Sequence, residues 1–277
     1  MSIPAGPGRY MLFGHPVSHS WSPFIHGLFA RQFDHVIDYK LCDVEPAEFR
    51  HAVIDFFVEG GSGANVTLPH KPAAAEVVND LSARAERARA VNTIIRRSAT
   101  ELVGDNTDGA GLVTDLVRNM RVGITGSRLL ILGAGGAVRG VLAPLLEQEP
   151  REVRIANRTP ERAERLRNEF SDLGEVSACS FDDVDDLPWD IIVNATAASL
   201  AGDVPALPPR AVGRDSVCYD MAYGRGDTAF MRWAADRGST RPCKGWGMLV
   251  EQAAESYLLW RGVRPATKPV LDALLRL

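Results

Sequence analysis

The sequence predicts an α/β protein built on parallel sheets covered by helices, and three observations carry that expectation. Apolar runs of strand length recur along the 277 residues, most are followed by amphipathic helical patterns, and one of them enters a glycine-rich turn that opens a helix. The runs, in order, are RYMLFG (9–14), VIDYKLCDV (36–44), GANVTLP (63–69), AVNTII (90–95), RLLILGAG (128–135), EVRIANRT (152–159), DIIVNAT (190–196) and SVCYDMAY (216–223). Each is short enough for a buried strand. No repeat, low-complexity stretch or Pro/Gly/Ser linker divides the chain.

Composition narrows the class. With 45% apolar and 24% charged residues the chain is ordinary for a globular protein of one large or two modest domains. A net charge of -4 without runs of like charge argues against nucleic acid or a membrane surface as the main partner and favours small-molecule chemistry. The four cysteines, Cys42, Cys179, Cys218 and Cys243, lie far apart with no CxxC pair and no metal spacing. They read as reduced thiols. The N-terminus MSIPAGPGRY has no signal-peptide pattern and no apolar stretch reaches bilayer length, so the expected location is the cytoplasm.

The second half is organised around LLILGAGGAVRGVLAPLL (129–146), where a strand runs into Gly133, Gly135 and Gly136 and then into a helix. Such a turn lets a pyrophosphate approach the backbone at a helix N-terminus. Val138 stands where the third glycine of GxGxxG is expected, and a bare βα turn is the competing reading. The next strand, EVRIA, favours the dinucleotide site, and Thr159 and Pro160 are the expected N-cap and first-turn proline of the helix PERAERLRNEF. An NAD site usually has Asp or Glu at the tip of this second strand; here the tip reads Asn157, Arg158, Thr159, with Arg162 following. A guanidinium suits a 2'-phosphate, so the expected cofactor is NADP.

Residues 1 to about 105 are left as the substrate domain. Its polar clusters fall at strand ends and helix starts: Ser20 and Ser22; Asn65, Thr67 and Lys71; Asn92; and Asp108 of GDNTDG. Hydroxyls, amides, one lysine and one carboxylate together suit a small polyhydroxylated acid. His15 and His19 are expected to pack or hydrogen-bond within their loop, since Pro16 prevents helical pairing and no neighbouring carboxylate joins them; no metal is implied.

Taken together, GxPxxHSxSPxxH, NVTxPxK, AVNT, GDNTDGxG, GAGGAxRG, NRT, NAT, YDMxY and GMLVxQAA, in this order and spacing, resemble the shikimate dehydrogenase family over nearly the whole chain. The resemblance implies two α/β domains with a cleft between them, the second a Rossmann-like NADP-binding domain. Mapped here, residues 1–107 are the substrate-binding catalytic domain, 108–242 the NADP domain, and 243–277 helices returning to the first domain. The implied reaction is the reversible reduction of 3-dehydroshikimate to shikimate by NADPH, by a monomer or homodimer. Carried over position by position, Lys71 and Asp108 match the catalytic pair, Ser20 and Ser22, with Thr67 and Tyr223 nearby, the carboxylate ligands, and Lys71, Asn92, Asp108 and Gln252 the ring-hydroxyl ligands. The cofactor positions are Gly133, Ala134, Gly135, Gly136, Ala137, Asn157, Arg158, Thr159, Arg162, Asn194, Thr196, Met221 and Gly245. The bland readings of the pair are a helix cap for Asp108 and a solvated first-turn residue for Lys71.

The chain departs from the family pattern at Trp21, where lysine is common, at Ser199, where glycine is usual, and at Lys244 and Trp246, in a block that usually reads DGLGML. GRGD at 224–227 is expected to be a turn. A relative acting on quinate or an amino-substituted analogue, and a catalytically weak ligand-binding paralogue, are the competing functions.

Overall fold

The computed structural model describes residues 7–196, 198 and 202–276; Ser199 lies outside them. The chain forms two compact units, one made of residues up to Gly111 together with those from Leu249, the other of Leu112–Met248. Asp108 thus falls in the first unit, four residues before the crossing.

In the first unit, β1 (Gly8–Gly14), α1 (Ser22–Arg31), β2 (Ile37–Asp43), α2 (Phe49–Val58), β3 (Gly63–Val66), α3 (Lys71–Val77), β4 (Asp80–Leu81), α4 (Ala83–Ala88), β5 (Thr93–Arg96) and β6 (Leu102–Asp105) follow one another. Their strands form one sheet in the order β2-β1-β3-β5-β6-β4. The expectation of parallel sheets holds for β2, β1 and β3 but not for β5, which runs antiparallel to both β3 and β6. The five residues 97–101 between β5 and β6 are too few for a crossover, so the chain turns back as a hairpin. Phe13, Phe49 and Phe56 form the aromatic centre of this core, with edge-to-face contacts at 6.0 and 5.9 Å.

The chain leaves the first unit within α5 (Asp108–Thr114), which continues into a π-helical turn, Asp115–Asn119. The second unit contains β7 (Arg128–Leu132), α6 (Gly136–Leu146), β8 (Glu152–Ala156), α7 (Pro160–Phe170), β9 (Val176–Cys179), β10 (Trp189–Asn194), β11 (Val212–Asp220), α8 (Ala229–Asp236) and β12 (Arg241–Lys244). Its sheet is parallel throughout, in the order β12-β11-β10-β7-β8-β9. Numbered within the unit this is 3-2-1-4-5-6 read from the β9 edge, the doubly wound order in which ligands bind at the carboxyl ends of the two strands where winding reverses. Those strands are β7 and β10. Leu129 to Leu132 of β7 are all fully buried, as both faces of a covered parallel strand require. The helix α7 turns Ala163, Leu166 and Phe170 inward at i, i+3, i+7 spacing, and Pro160 opens it. Thr159 occupies the N-cap position, but its side chain makes no capping hydrogen bond, which corrects the expected role of its hydroxyl.

The chain re-enters the first unit within α9 (Trp246–Arg261), and α10 (Lys268–Leu274) follows. Among the described residues no helix is long and apolar enough to cross a membrane.

Candidate active site

The side chains that could do chemistry in the first unit gather at the starts of α3, α5 and β5 and along α9. Lys71 is the first residue of α3 and Asp108 the first of α5. The Lys71 ammonium donates to Asp108 Oδ2 at 2.6 Å, with side-chain exposures of 21% and 9%, so the pair is shielded but reachable from solvent. Neither bland reading fits: Asp108 is a helical residue whose carboxylate is spent on Lys71, and Lys71 is held. The second oxygen, Asp108 Oδ1, accepts from Asn92 Nδ2 at 2.8 Å. Asn92 also accepts from the Thr107 backbone at 2.9 Å and donates to Thr107 Oγ1 at 2.9 Å and Gln252 Oε1 at 3.3 Å. Lys71, Asn92, Asp108 and Gln252, grouped by sequence, are thus grouped in space.

Beneath them runs a buried relay of which the sequence reading singled out only Asn65. Thr93 Oγ1 lies 2.7 Å from Ser256 Oγ, Asn65 donates to both at 3.2 and 3.1 Å, and Tyr39 donates to Asn65 Oδ1 at 2.7 Å. Thr107 stood inside GDNTDG and could have been picked out; Tyr39 and Ser256 carried no local signal. Burial raises the pKa of the Tyr39 hydroxyl, with a Ser22 hydrogen bond working the other way, so it stays a neutral donor.

The loop between β1 and α1 holds Ser20 and Ser22 with their hydroxyls 3.1 Å apart, and the Ser22 backbone donates to Ser20 Oγ at 3.2 Å. Trp21 is the N-cap residue between them and packs edge-on against Phe24 at 6.1 Å. Thr67 is brought beside this loop: a Cβ on Gly14 would lie 2.5 Å from the Thr67 methyl, so only glycine fits where β1 gives way to the loop. The expectation that no carboxylate joins His15 is overturned. His15 Nδ1 is 2.6 Å from Oδ1 of Asp43, the last residue of β2, and Nε2 is 3.3 Å from Glu45 two residues further on, while Asp43 Oδ2 accepts from the Val17 backbone at 3.2 Å. The hydrogen bond to Asp43 raises the His15 pKa and lowers that of Asp43. Among the described residues no three His, Cys, Asp or Glu side chains cluster as a metal site would need.

In the second unit, Gly133 follows β7 at φ +108, and a Cβ there would come within 3.3 Å of the Ala195 carbonyl. At Gly135 and Gly136 an added Cβ would meet nothing within 4 Å. Packing does not demand those two glycines; their bareness leaves space at the start of α6, whose N-cap Gly135 supplies no capping side chain. Ala137 is exposed beside them and Ala134 packs on the core. Val138, the odd residue of the motif, is fully buried against that core. At the end of β8, Asn157 Nδ2 donates to the Thr159 carbonyl at 2.8 Å, and Arg158 and Arg162 are exposed. Across the switch point, Asn194 Oδ1 accepts from the Thr196 backbone at 3.1 Å and hydroxyl at 2.7 Å, and the Asn194 carbonyl accepts from the Met221 backbone at 2.9 Å. Gly245 is forced by contact, since a Cβ would lie 2.5 Å from the Met221 carbonyl oxygen. Open space at an uncapped helix start, two exposed guanidiniums and no acid at the β8 tip fit a dinucleotide bearing a 2'-phosphate.

Tyr223, grouped by sequence with Ser20, Ser22 and Thr67, belongs to the second unit, where its ring lies 5.1 Å from that of Trp246. Lys244 donates to the carbonyls of Gly224 and Gly226 at 3.0 and 2.6 Å, which gives the unusual lysine a local task in holding the GRGD loop.

Comparison with known proteins agrees in every part of the chain. Residues 12–94 match the shikimate dehydrogenase substrate binding domain, 115–202 the shikimate / quinate 5-dehydrogenase family, and 245–275 the shikimate 5'-dehydrogenase C-terminal domain. Shikimate dehydrogenase (NADP(+)) of Aeromonas hydrophila is 52% identical over 268 residues, 97% of each chain, and that of Methylococcus capsulatus 49% identical over 97% of this chain and 96% of its own. Among solved structures, an Ael1 enzyme from Pseudomonas putida superposes with a TM-score of 0.92 at 42% identity, covering 96% of this chain and 98% of that one. Shikimate 5-dehydrogenase from Thermus thermophilus, in complex with NADP(H) and shikimate, does so with 0.86 at 30% identity, covering 97% and 99%. With half of its residues identical to curated relatives along nearly its full length, and with a lysine, a carboxylate and a bare glycine turn where the motifs placed them, the chain belongs to the shikimate dehydrogenase family.

Proposed function

We propose that the protein catalyses the reversible, NADP-dependent reduction of 3-dehydroshikimate to shikimate, with Lys71 as the proton donor and Asp108 as its partner. The observation that carries the assignment of roles is the 2.6 Å Lys71–Asp108 pair, anchored through Asn92. The bound nicotinamide supplies or accepts the hydride at the carbinol carbon. Around it, the Lys71 ammonium is a donor for the oxygen that gains charge in reduction, and the amine left behind recovers a proton through Asp108 or solvent. In oxidation the same nitrogen, deprotonated, removes the hydroxyl proton. Asn92 and Gln252 would hold neighbouring ring hydroxyls, and Ser20, Ser22 and Thr67 the carboxylate, with Tyr223 assigned to the same task by the family resemblance alone. Gly133 to Ala137 would hold the pyrophosphate and Asn157, Arg158, Thr159 and Arg162 the 2'-phosphate, with Asn194, Thr196, Met221 and Gly245 as the remaining cofactor positions. The free state of all four cysteines supports a cytoplasmic enzyme.

The test is NADPH absorbance with shikimate and quinate side by side in wild type and variants. Lys71→Ala is expected to lower kcat by roughly 10²-fold or more with a smaller change in KM, and Asp108→Asn to lower kcat without lowering Tm to match. Wild-type turnover in Lys71→Ala removes that residue from the chemistry, and turnover of quinate alone reassigns the substrate.

A further inference from the structure

The first unit holds a second set of charges that the proposed chemistry does not use. Arg84, in the first turn of α4, grips Asp105 with two parallel bonds, Nε to Oδ1 at 2.6 Å and Nη2 to Oδ2 at 3.0 Å. Its Nη1 reaches Glu255 Oε1 at 3.2 Å. Glu255 also pairs with Arg264, which binds Glu251 at 3.0 Å. Asp105 is 5% and Glu251 2% exposed, whereas the Arg84, Glu255 and Arg264 side chains are 28%, 19% and 32% exposed, so the network runs from two buried carboxylates out to the surface.

Its ends touch both walls of the Lys71–Asp108 cluster. Asp105 closes β6, and its Oδ1 accepts from the Ser82 hydroxyl and the Asn106 backbone, each at 2.6 Å. The Asn106 side chain then accepts from the Asp108 backbone at 3.2 Å and donates to the Ala90 carbonyl at 3.0 Å. On the other wall, Glu251 and Glu255 flank Gln252 and precede Ser256 along α9. Both walls meet at the Asn92 amide, 2.8 Å from Asp108 and 3.3 Å from Gln252, a spacing that tolerates only tenths of an ångström before one bond is lost. For stability alone, apolar packing of similar volume would serve as well as buried ion pairs. A guanidinium fork adds something apolar contacts lack, a fixed distance and angle between two carboxylates.

We infer that Arg84 is a positioning residue for the reaction: by gripping Asp105 and Glu255 together it sets the distance between the segment bearing Asp108 and the helix bearing Gln252. The inference rests on the roles proposed for Lys71 and Asp108. Arg84→Lys keeps the charge but cannot fork, and Arg84→Met keeps much of the length without charge. Single-turnover hydride transfer, KM for shikimate, the dissociation constant for NADP and Tm are measured for each, at a temperature well below the lowest Tm. Arg128→Met is the control, breaking the partly exposed pairs of Arg128 with Glu152 and Asp185 in the second unit. The expected result is that Arg84→Lys stays folded yet transfers hydride roughly tenfold or more slowly, the scale of a small misplacement at the reacting atoms, with NADP affinity unchanged. Arg128→Met should lose Tm and keep its transfer rate. Wild-type transfer in folded Arg84→Lys, or equal slowing in Arg128→Met, overturns the inference. Lys71→Ala separates the two readings: if it turns over normally the chemistry is misassigned, and if it is slow while Arg84→Lys is not, only the positioning role falls.

Discussion

Replacing Gly247 by alanine should destabilise the protein, although the site is helical. Gly247 is the second residue of α9, where alanine is favoured over glycine by about 1 kcal/mol on propensity alone. The space is already taken: a Cβ would lie 1.9 Å from Asp115 Oδ1 and 2.1 Å from its Cγ. Asp115 is 4% exposed, accepts from the Tyr219 hydroxyl at 2.7 Å and from Asn119 at 2.9 Å, and Tyr219 in turn accepts from the Met248 backbone at 3.2 Å. Forced insertion costs about 1–3 kcal/mol, and loss of one hydrogen bond to the buried carboxylate about 1.5–3 kcal/mol. Set against the propensity gain, the net is about 1.5–5 kcal/mol destabilising, or a Tm lower by about 3–20 °C at about 2–4 °C per kcal/mol. Differential scanning calorimetry reads this directly, with Gly27→Ala in α1 as the matched control, because a Cβ there meets nothing within 4 Å and the propensity gain should appear as a raised Tm. Adding Asp115→Ala to Gly247→Ala should destabilise by less than the two separate losses combined. A Gly247→Ala protein that melts as high as Gly27→Ala would refute the packing argument.

Three further outcomes are expected. Ser20→Ala and Ser22→Ala should each raise KM for shikimate roughly tenfold and lower kcat less, because a carboxylate remote from the reacting carbon is bound alike in ground and transition states; a kcat loss larger than the KM change contradicts the clamp. Arg158→Asp should narrow or invert the NADP over NAD preference, since one charge-assisted bond is worth about 1.5–3 kcal/mol, roughly ten- to a hundredfold; an unchanged ratio of kcat/KM values removes Arg158 from cofactor choice. An NMR titration should place the His15 midpoint above 6.5, and Asp43→Asn should bring it back down. Because the folded pKa is raised, the stabilisation from His15 is complete below 6.5 and fades as pH rises through that midpoint, whereas the share from the depressed Asp43 carboxyl is complete above 3.8 and fades as pH falls through its folded value. A His15 midpoint at or below 6.5 contradicts the pairing.

The residues that bear the chemistry were more legible in the sequence than the scaffold that holds them. Lys71, Asn92, Asp108 and Gln252 could be grouped because each sits in a short block whose order is distinctive, and the fold then brings them within hydrogen-bond reach. The strands β9 and β12 escaped because VSAC and RPCK are only half-buried edge segments without an apolar run, and β4 because it is two residues long. The reversal at β5 is a matter of linker length, which apolar periodicity does not encode. Arg84, Asp105, Glu251 and Glu255 were not singled out, because pairing between residues 171 apart in sequence, as in Arg84–Glu255, leaves no local mark. The Asp43 carboxylate beside His15 was missed for the same reason.

The second unit enters and leaves the chain inside two helices, α5 and α9, and its ends are neighbours, with Asp115 against Gly247. A segment whose two ends touch is an insertion that its host need not rearrange to accept. Residues 112–248 therefore form a cassette. On the proposed roles, the groups that would choose the nucleotide lie within this cassette, together with Tyr223 of the substrate set, while Lys71, Asn92, Asp108 and Gln252 lie in the other unit. A cassette from an NAD-using relative, spliced at Leu112 and Met248 with its own Asp115 and Gly247 counterparts, would change the reductant while leaving Lys71 and Asp108 in the unit that holds them.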